Sequence, residues 1–433
     1  MSEGQSTVSA SELSRGMAAG ESADRSVFDF YRTMDAKGRR TFWACTAGWT
    51  LDGMDFMLFP LVIGTLVTVL SSDLKTMGGI VSLTVFCSAG GGWLAGYLAD
   101  RIGRVRTMQI TILLFSLGSL LSAVAQDVTQ LTIFRVLLGI GFGGEAAVAG
   151  VTLSEVVLAK HRGRAMGFYQ SSYAVGWGIA ILAQALTFAL FIPDVAWRVM
   201  FGIGALPALL IFFIRRSVEE PSMSRVAREK DAASFFEVFS PSNIRATITG
   251  SLLTIGAQGG FYALMTWVPQ YLRAERKISI LASTPYLMAL ISGCWIGYVS
   301  GGWLSDRFGR RPVFLAFSAA AAVAVYVYTH VPLTDTEVMI LSLPLGFFAV
   351  GYYSALMACL NEMFPTRVRG AGVGFTYNAG RAVGGLFPFA VGAVTAMTNL
   401  SNAISIFALI SYGIVFFTAL LILRETRGIS LSS

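Results

Sequence analysis

Charge, histidine and cysteine are all scarce in this 433-residue chain: charged side chains make up 13% of it, and there are two histidines and four cysteines. Cys45, Cys87, Cys294 and Cys359 fall in separate apolar stretches without paired or metal-like spacing. That excludes a disulfide framework or a zinc site and leaves them as small apolar residues. His161 and His330 lie near loops, so neither provides a metal ligand within an apolar stretch. A membrane enzyme would need a nucleophile or metal cluster and a channel a continuous polar pore, and no arrangement of histidines or acids supplies either. Residues 1–40 are rich in Ser, Gly and Ala and lack the apolar core of a cleaved signal. They are expected to form a flexible cytoplasmic tail.

In excess is hydrophobicity, at 55% of residues, more than a soluble protein of this length needs for its core. A helix crosses the hydrocarbon layer with roughly 20 mainly apolar residues. About twelve such stretches fit between Thr41 and Leu423, centred near Asp55, Phe86, Ser116, Gly143, Tyr173, Gly204, Gln258, Ile291, Ala321, Gly351, Val383 and Ile414. The expected class is an all-α membrane protein: a six-helix bundle over 41–217, a charged cytoplasmic linker over 218–245, a second bundle over 246–424 and a short tail over 425–433. Most of the 32 Lys and Arg residues fall on the side of the N-terminus, which predicts that both termini are cytoplasmic. The net charge of +7 then reflects topology and calls for no nucleic acid. Short loops and this bias fit a bacterial inner membrane.

The halves are copies of one another. "GYLADRIGRVR" from Gly96 recurs as "GWLSDRFGRRP" from Gly302, and "EVVLAKHRG" from Glu155 recurs as "EMFPTRVRG" from Glu362. Two matches at nearly one offset point to duplication of a six-span unit. These repeated loops, together with "RVLLGIGFGGE" in the fourth span, resemble the major facilitator superfamily of secondary transporters. The resemblance implies two bundles that rock about a central site. The Asp-Gly-x-Asp motif of span one, "GGE" in span four, "WVPQYL" in span seven and "GRAVGG" in span eleven further resemble proton symporters of organic acids. A small carboxylate substrate, no cofactor beyond the coupling proton, and function as a monomer are expected.

Chemistry is expected where the copies differ. At the repeat offset Asp52 falls on Gln258 and Asp55 on Phe261; Glu145 falls on Tyr352, Arg135 on Ser342, and Arg381 on Ala174. All the charges inside spans are therefore unshared. Each costs roughly 2.5–3.5 kcal/mol on insertion scales, so each should face a cavity or a partner. Asp52 and Asp55, three residues apart, share one helix face, and burial with mutual repulsion favours a proton on at least one of them. The resemblance places Asp55 near Arg135, which implies that an ionised Asp55 pairs with the arginine and a protonated one releases it. Glu145 is a third proton-site candidate.

Arg381 is the candidate for the substrate, because its planar fixed charge suits a carboxylate; the competing reading is a permanent partner for Glu145 or Asp52. Gln258, Tyr262, Gln170, Tyr173, Tyr377 and Asn378 are candidate hydrogen-bonding groups, with Trp267 and Trp177 as stacking faces. The three acids and two arginines sum to −1 when ionised, so protons are expected to bind before an anion. At the cytoplasmic ends, Asp100 with Arg104, Asp306 with Arg310, Glu155 with Arg162 and Glu362 with Arg369 are expected to latch the outward-facing state. Rival readings are a drug exporter, for which "SSYAVGWGIAILAQ" lacks the span-five proline; a sugar symporter, for which span seven has only Gln258 of the paired glutamines; and a nutrient sensor.

Overall fold

A computed structural model of the chain describes residues 29–157, 162–206, 208, 235–365 and 368–427, and every regular element among them is helical. The first half comprises α1 (Ala36–Val69), α2 (Leu74–Ile102), α3 (Arg104–Ala123), α4 (Val128–Val156), α5 (Arg162–Leu190) and α6 (Pro193–Ile203). The second comprises α7 (Ile244–Met265), α8 (Val268–Ala274), α9 (Ile280–Phe308), α10 (Arg310–His330), α11 (Asp335–Val350), α12 (Tyr353–Met363), α13 (Arg369–Gly384), α14 (Phe387–Thr395) and α15 (Leu400–Leu421). All twelve expected centres lie on these rods or at their breaks. The sixth falls at the end of α6, and most of the linker lies outside the described residues.

Local chemistry explains the ends. Asp127, Ser279 and Asn399 each accept a backbone N–H of the first turn of α4, α9 and α15, and Thr334 with Glu337 forms a capping box on α11; each satisfies a donor that a helix start leaves orphaned. The repeated loops between α2 and α3 and between α9 and α10 turn on Gly103 and Gly309, with φ of 101° and 104°. Only glycine takes that conformation without strain, which is why both copies keep it. Three second-half spans are broken. The α7/α8 and α13/α14 junctions are each followed by a proline, Pro269 and Pro388, in the first turn of the new helix, where its missing N–H costs nothing. The α11/α12 break falls at Gly351 and Tyr352.

Packing repeats the duplication. α2 lies on α4 as α9 lies on α11, α1 on α5 as α7 on α13, and α3 on α6 as α10 on α15. The halves meet chiefly along two seams, α5 against α9 and α2 against α13 and α14. The chain is thus an all-α membrane protein with its twelve spans in two pseudo-symmetric bundles. Among the described residues, eight helical stretches are long and apolar enough to cross a bilayer, and the side chains they present outward include Leu186, Val323, Ile340 and Phe417. Near the loop at 70–73 the halves are joined closely: Phe389 N donates to Ser82 Oγ at 2.9 Å, and Gln270 and Arg273 of α8 crowd Gly64 of α1.

Gly143 brings α4 against the Ser88 carbonyl of α2, and Gly293 brings α9 against the Leu343 carbonyl of α11. Small residues permit such approach where no hydrophobic effect pulls helices together in lipid. A side chain at Gly143 has no space to enter. Gly143→Val is expected to destabilise the protein by about 1–3 kcal/mol through overpacking, seen as a lowered melting temperature of the detergent-solubilised protein; an unchanged melt would contradict this packing.

Candidate functional site

Between the halves lies a cavity lined by side chains of both. The first half contributes Trp49 of α1, Phe142 of α4, and Gln170 and Tyr173 of α5. The second contributes Gln258, Phe261 and Tyr262 of α7, Tyr298 of α9, Tyr353 of α12, and Tyr377 and Arg381 of α13. Most of the second-half groups come from the interrupted spans, on α7, α12 and α13. Gln258 Nε2 donates to the Tyr377 carbonyl at 2.9 Å, tying α7 to α13. The walls are aromatic: Trp49 stacks on Phe142 with centroids 6.3 Å apart, and Tyr298 meets Tyr353 edge-on at 6.1 Å.

Arg381 is the cation of this cavity. It is 2% exposed, and its guanidinium lies 4.8 Å from the Phe142 ring centroid and 5.4 Å from that of Tyr377. Its Nε has no hydrogen-bond partner, and no carboxylate among the described residues forms a salt bridge with it. Ring faces contribute about 2 kcal/mol to a desolvated cation, less than removing a charge from water costs. Phe142 belongs to the other half, so this guanidinium also spans the interface.

A second polar centre is enclosed within the first half. Asp55 is fully buried, and its carboxyl accepts a hydrogen bond from the Ser119 hydroxyl of α3. The same hydroxyl lies 3.0 Å from the Phe201 carbonyl of α6. Gly204 makes the room, since a side chain there would meet both Asp55 and Ser119. Arg135 of α4 lies against two rings, its guanidinium 4.1 Å from the Phe201 centroid and 4.9 Å from that of Phe59, and those rings stack on one another 6.2 Å apart. Its Nε and Nη2 have no hydrogen-bond partner. It forms no salt bridge with Asp55 among the described residues, although the two are near enough to interact electrostatically.

Of the residues read from sequence, the structure gathers Gln170, Tyr173, Gln258, Tyr262, Tyr377 and Arg381 at one cavity. Asn378, Trp177 and Trp267 are buried outside its lining: Asn378 donates to the Gly374 carbonyl of its own helix, and Trp267 packs near Gly78 of α2. Asp52 and Asp55 are both buried, yet neither lines the cavity. Asp55 looks into the first bundle because α3, α4 and α6 surround its face of α1, while Asp52 interacts electrostatically with the cavity residue Tyr173. The side chains of Glu145, Asp100, Arg104, Glu155 and Arg162 lie outside the described residues.

At the second repeated loop, Arg310 pairs with Asp306 at 2.6 Å and with Glu362 at 2.8 Å. Arg369 donates from Nε to the Asn361 carbonyl at 2.9 Å. Reading the sequence overlooked Glu425, which accepts the Arg310 and Arg311 backbone N–H groups at the start of α10. Partial burial opposes its ionisation, but the donated N–H groups outweigh that and hold its carboxyl below the usual range. Ser119, Trp49, Phe142, Phe261, Tyr298 and Tyr353 were also overlooked. For Trp49 the signal was present, one turn before Asp52; a serine in a span carries none.

Comparison with known proteins agrees with this architecture. A family model described as the Major Facilitator Superfamily matches residues 45–388 and 291–432. A probable 4-methylmuconolactone transporter of Cupriavidus pinatubonensis is 38% identical over 411 residues, 94% of this chain and 95% of that protein. A cis,cis-muconate transport protein of Acinetobacter baylyi is 28% identical over 79% of this chain and 84% of its own. Among solved structures, the inward open xylose transporter XylE of E. coli aligns with a TM-score of 0.72 over 90% of this chain and 97% of that one, at 17% identity, a likeness of fold.

Removing one member of a buried ion pair costs about 3–5 kcal/mol, whereas replacing an uncompensated buried charge by an apolar group is neutral or stabilising. Arg381→Met is therefore expected to leave the melting temperature unchanged or to raise it. A marked fall would identify a standing carboxylate partner.

Proposed function

Because the chain belongs to the Major Facilitator Superfamily and is a transporter, not an enzyme, we propose that it is a proton-coupled symporter taking up a small organic carboxylate. The observation that carries this reading is Arg381, a buried guanidinium in the cavity between the halves with ring faces and no described carboxylate against it. A fixed cation in a low-dielectric site attracts an anion strongly, and its planar fork matches a carboxylate. Gln170, Gln258 and the tyrosine hydroxyls supply hydrogen bonds to further oxygens, and the rings supply a face for a planar body. The relatives named for muconate and 4-methylmuconolactone support this class of substrate.

Binding would neutralise Arg381 where it spans the interface with Phe142, and the two halves would then close over the substrate and open on the opposite side. Asp55 and Arg135 carry the proton step in this reading. With the carboxyl protonated, Arg135 stays against its rings and α6 stays packed. When the proton leaves, the carboxylate draws the arginine and the bundle rearranges. Asp52, behind Tyr173, is a second proton site that senses the cavity. The charged loops, including Arg310 with Asp306 and Glu362, latch one of the two states. The protein works as a monomer in a bacterial inner membrane with both termini cytoplasmic.

Two experiments test the reading. A thermal-shift screen of the purified protein against cis,cis-muconate, aromatic carboxylates and sugar acids is expected to find a stabilising anion whose effect disappears in Arg381→Ala. Stabilisation only by neutral sugars would overturn the carboxylate assignment. In proteoliposomes, Asp55→Asn is expected to abolish accumulation of that anion driven by an inward proton gradient while retaining exchange. Gradient-driven accumulation equal to that of the parent protein would remove Asp55 from the coupling.

A further inference from the structure

Ser119 has one hydroxyl proton and two acceptors within reach, the Asp55 carboxyl and the Phe201 carbonyl. The Phe201 carbonyl needs a donor because α6 tightens at its end. Ala205 N, which a continuing α-helix would direct to Phe201, bonds instead to the Gly202 carbonyl at 3.1 Å, and Leu206 N bonds to Ile203 at 3.0 Å. An exposed carbonyl in this position would find water; a buried one must find a side chain. The neighbouring serine of α3 behaves differently, since Ser122 returns its proton to Gly118 of its own helix at 2.7 Å.

We infer that Ser119 is a positioning residue that reads the protonation state of Asp55 and transmits it to α6. This rests on the proton-coupled reading above. With Asp55 protonated, its O–H donates to Ser119 Oγ, and the serine proton goes to the Phe201 carbonyl, so that both hydroxyl protons and that carbonyl have a partner. When Asp55 releases its proton to water in the open pathway, the Ser119 hydroxyl rotates to donate to the carboxylate. The Phe201 carbonyl then loses its donor. Its ring covers Arg135 at 4.1 Å, so freeing this turn uncovers the guanidinium as the carboxylate begins to attract it. No covalent bond in the serine breaks; one proton leaves Asp55 and one hydroxyl turns.

The groups around Asp55 fit this two-position device. Arg135 is the charge that faces it from α4. Arg198 of α6 is occupied with the Ala123 and Ala125 carbonyls. From α5, Gln184 donates to the Leu61 carbonyl, while Asp52, a turn earlier on α1, interacts with Tyr173. From α8, Arg273 lies against Gly64, and α2 presents no titratable side chain to Asp55 among the described residues.

Infrared difference spectroscopy of the purified protein between alkaline and acid pH provides the test, with no substrate needed. A protonated-carboxyl stretching band that is absent in Asp55→Asn reports on this group. In Ser119→Ala the band is expected to move to higher frequency, and its titration midpoint by about one pH unit, the size of one buried hydrogen bond. Ser119→Thr, which restores the hydroxyl, is expected to recover both values. If Asp55→Asn removes the band but Ser119→Ala leaves its frequency and midpoint unchanged, the serine reads nothing and this inference alone falls. If Asp55→Asn leaves every titrating band in place, Asp55 holds no exchangeable proton, and the coupling reading falls with it.

Discussion

A charge enclosed by helices within a bilayer must be compensated by something nearby, and two guanidiniums of this protein are compensated mainly by aromatic faces. Arg135 lies against Phe59 and Phe201, and Arg381 against Phe142 and Tyr377. A ring quadrupole offsets only part of the desolvation cost of a cation. Both arginines therefore hold electrostatic energy that a carboxylate can release. One such carboxylate, Asp55, belongs to the chain; the other is the proposed substrate. Much of the surrounding structure follows from this arrangement, including the ring-lined cavity, the space left at Gly204 and the hydroxyl of Ser119.

Duplication supplies the frame and divergence supplies the chemistry. The paired contacts of α2 with α4 and α9 with α11, and the left-handed glycines of the two repeated loops, recur because both copies must pack small residues and turn tightly. The intramembrane charges do not recur. Prolines at the α7/α8 and α13/α14 junctions have Ile63 and Ile181 as their first-half counterparts, inside the unbroken helices α1 and α5, so these two breaks do not recur. The cavity follows that asymmetry: the polar groups and the cation come chiefly from the broken helices of the second half, while α1 and α5 stay continuous and the first half holds Asp55 and Arg135 inside itself. A carrier with this division would bind its anion mainly on one bundle and its proton within the other, communicating through Phe142 and Tyr173.

How far the site could be read in advance depended on whether a residue was costly where it stood. Arg381, Arg135 and Asp55 were conspicuous because charge is expensive in a span. Gln258 was conspicuous because the repeat set it opposite an acid. Aromatic residues are cheap in a membrane and serve equally as belt, packing or wall, so Trp267 and Trp177 stood out no less than Trp49, which lines the cavity. Ser119 left no mark, because a serine in a helix usually satisfies itself on its own preceding turn. Glu425 was similarly silent, as a glutamate after the last span is ordinary until α10 is seen to begin beside it.

Hydropathy, the repeated loops and the positions of the intramembrane charges determine, from the chain alone, that it folds as two six-span bundles and which side chains carry its electrostatic energy. Those properties depend on local composition and on spacing along one helix, and both are linear in sequence. The direction in which each face of α1 points was decided by contacts between helices distant in the chain. Asp52 and Asp55 stand three positions apart, and their shared face was foreseeable. That it turns Asp55 toward Ser119 and Arg135, behind the cavity wall, depends on where α3, α4 and α6 pack, and no spacing within α1 contains that information.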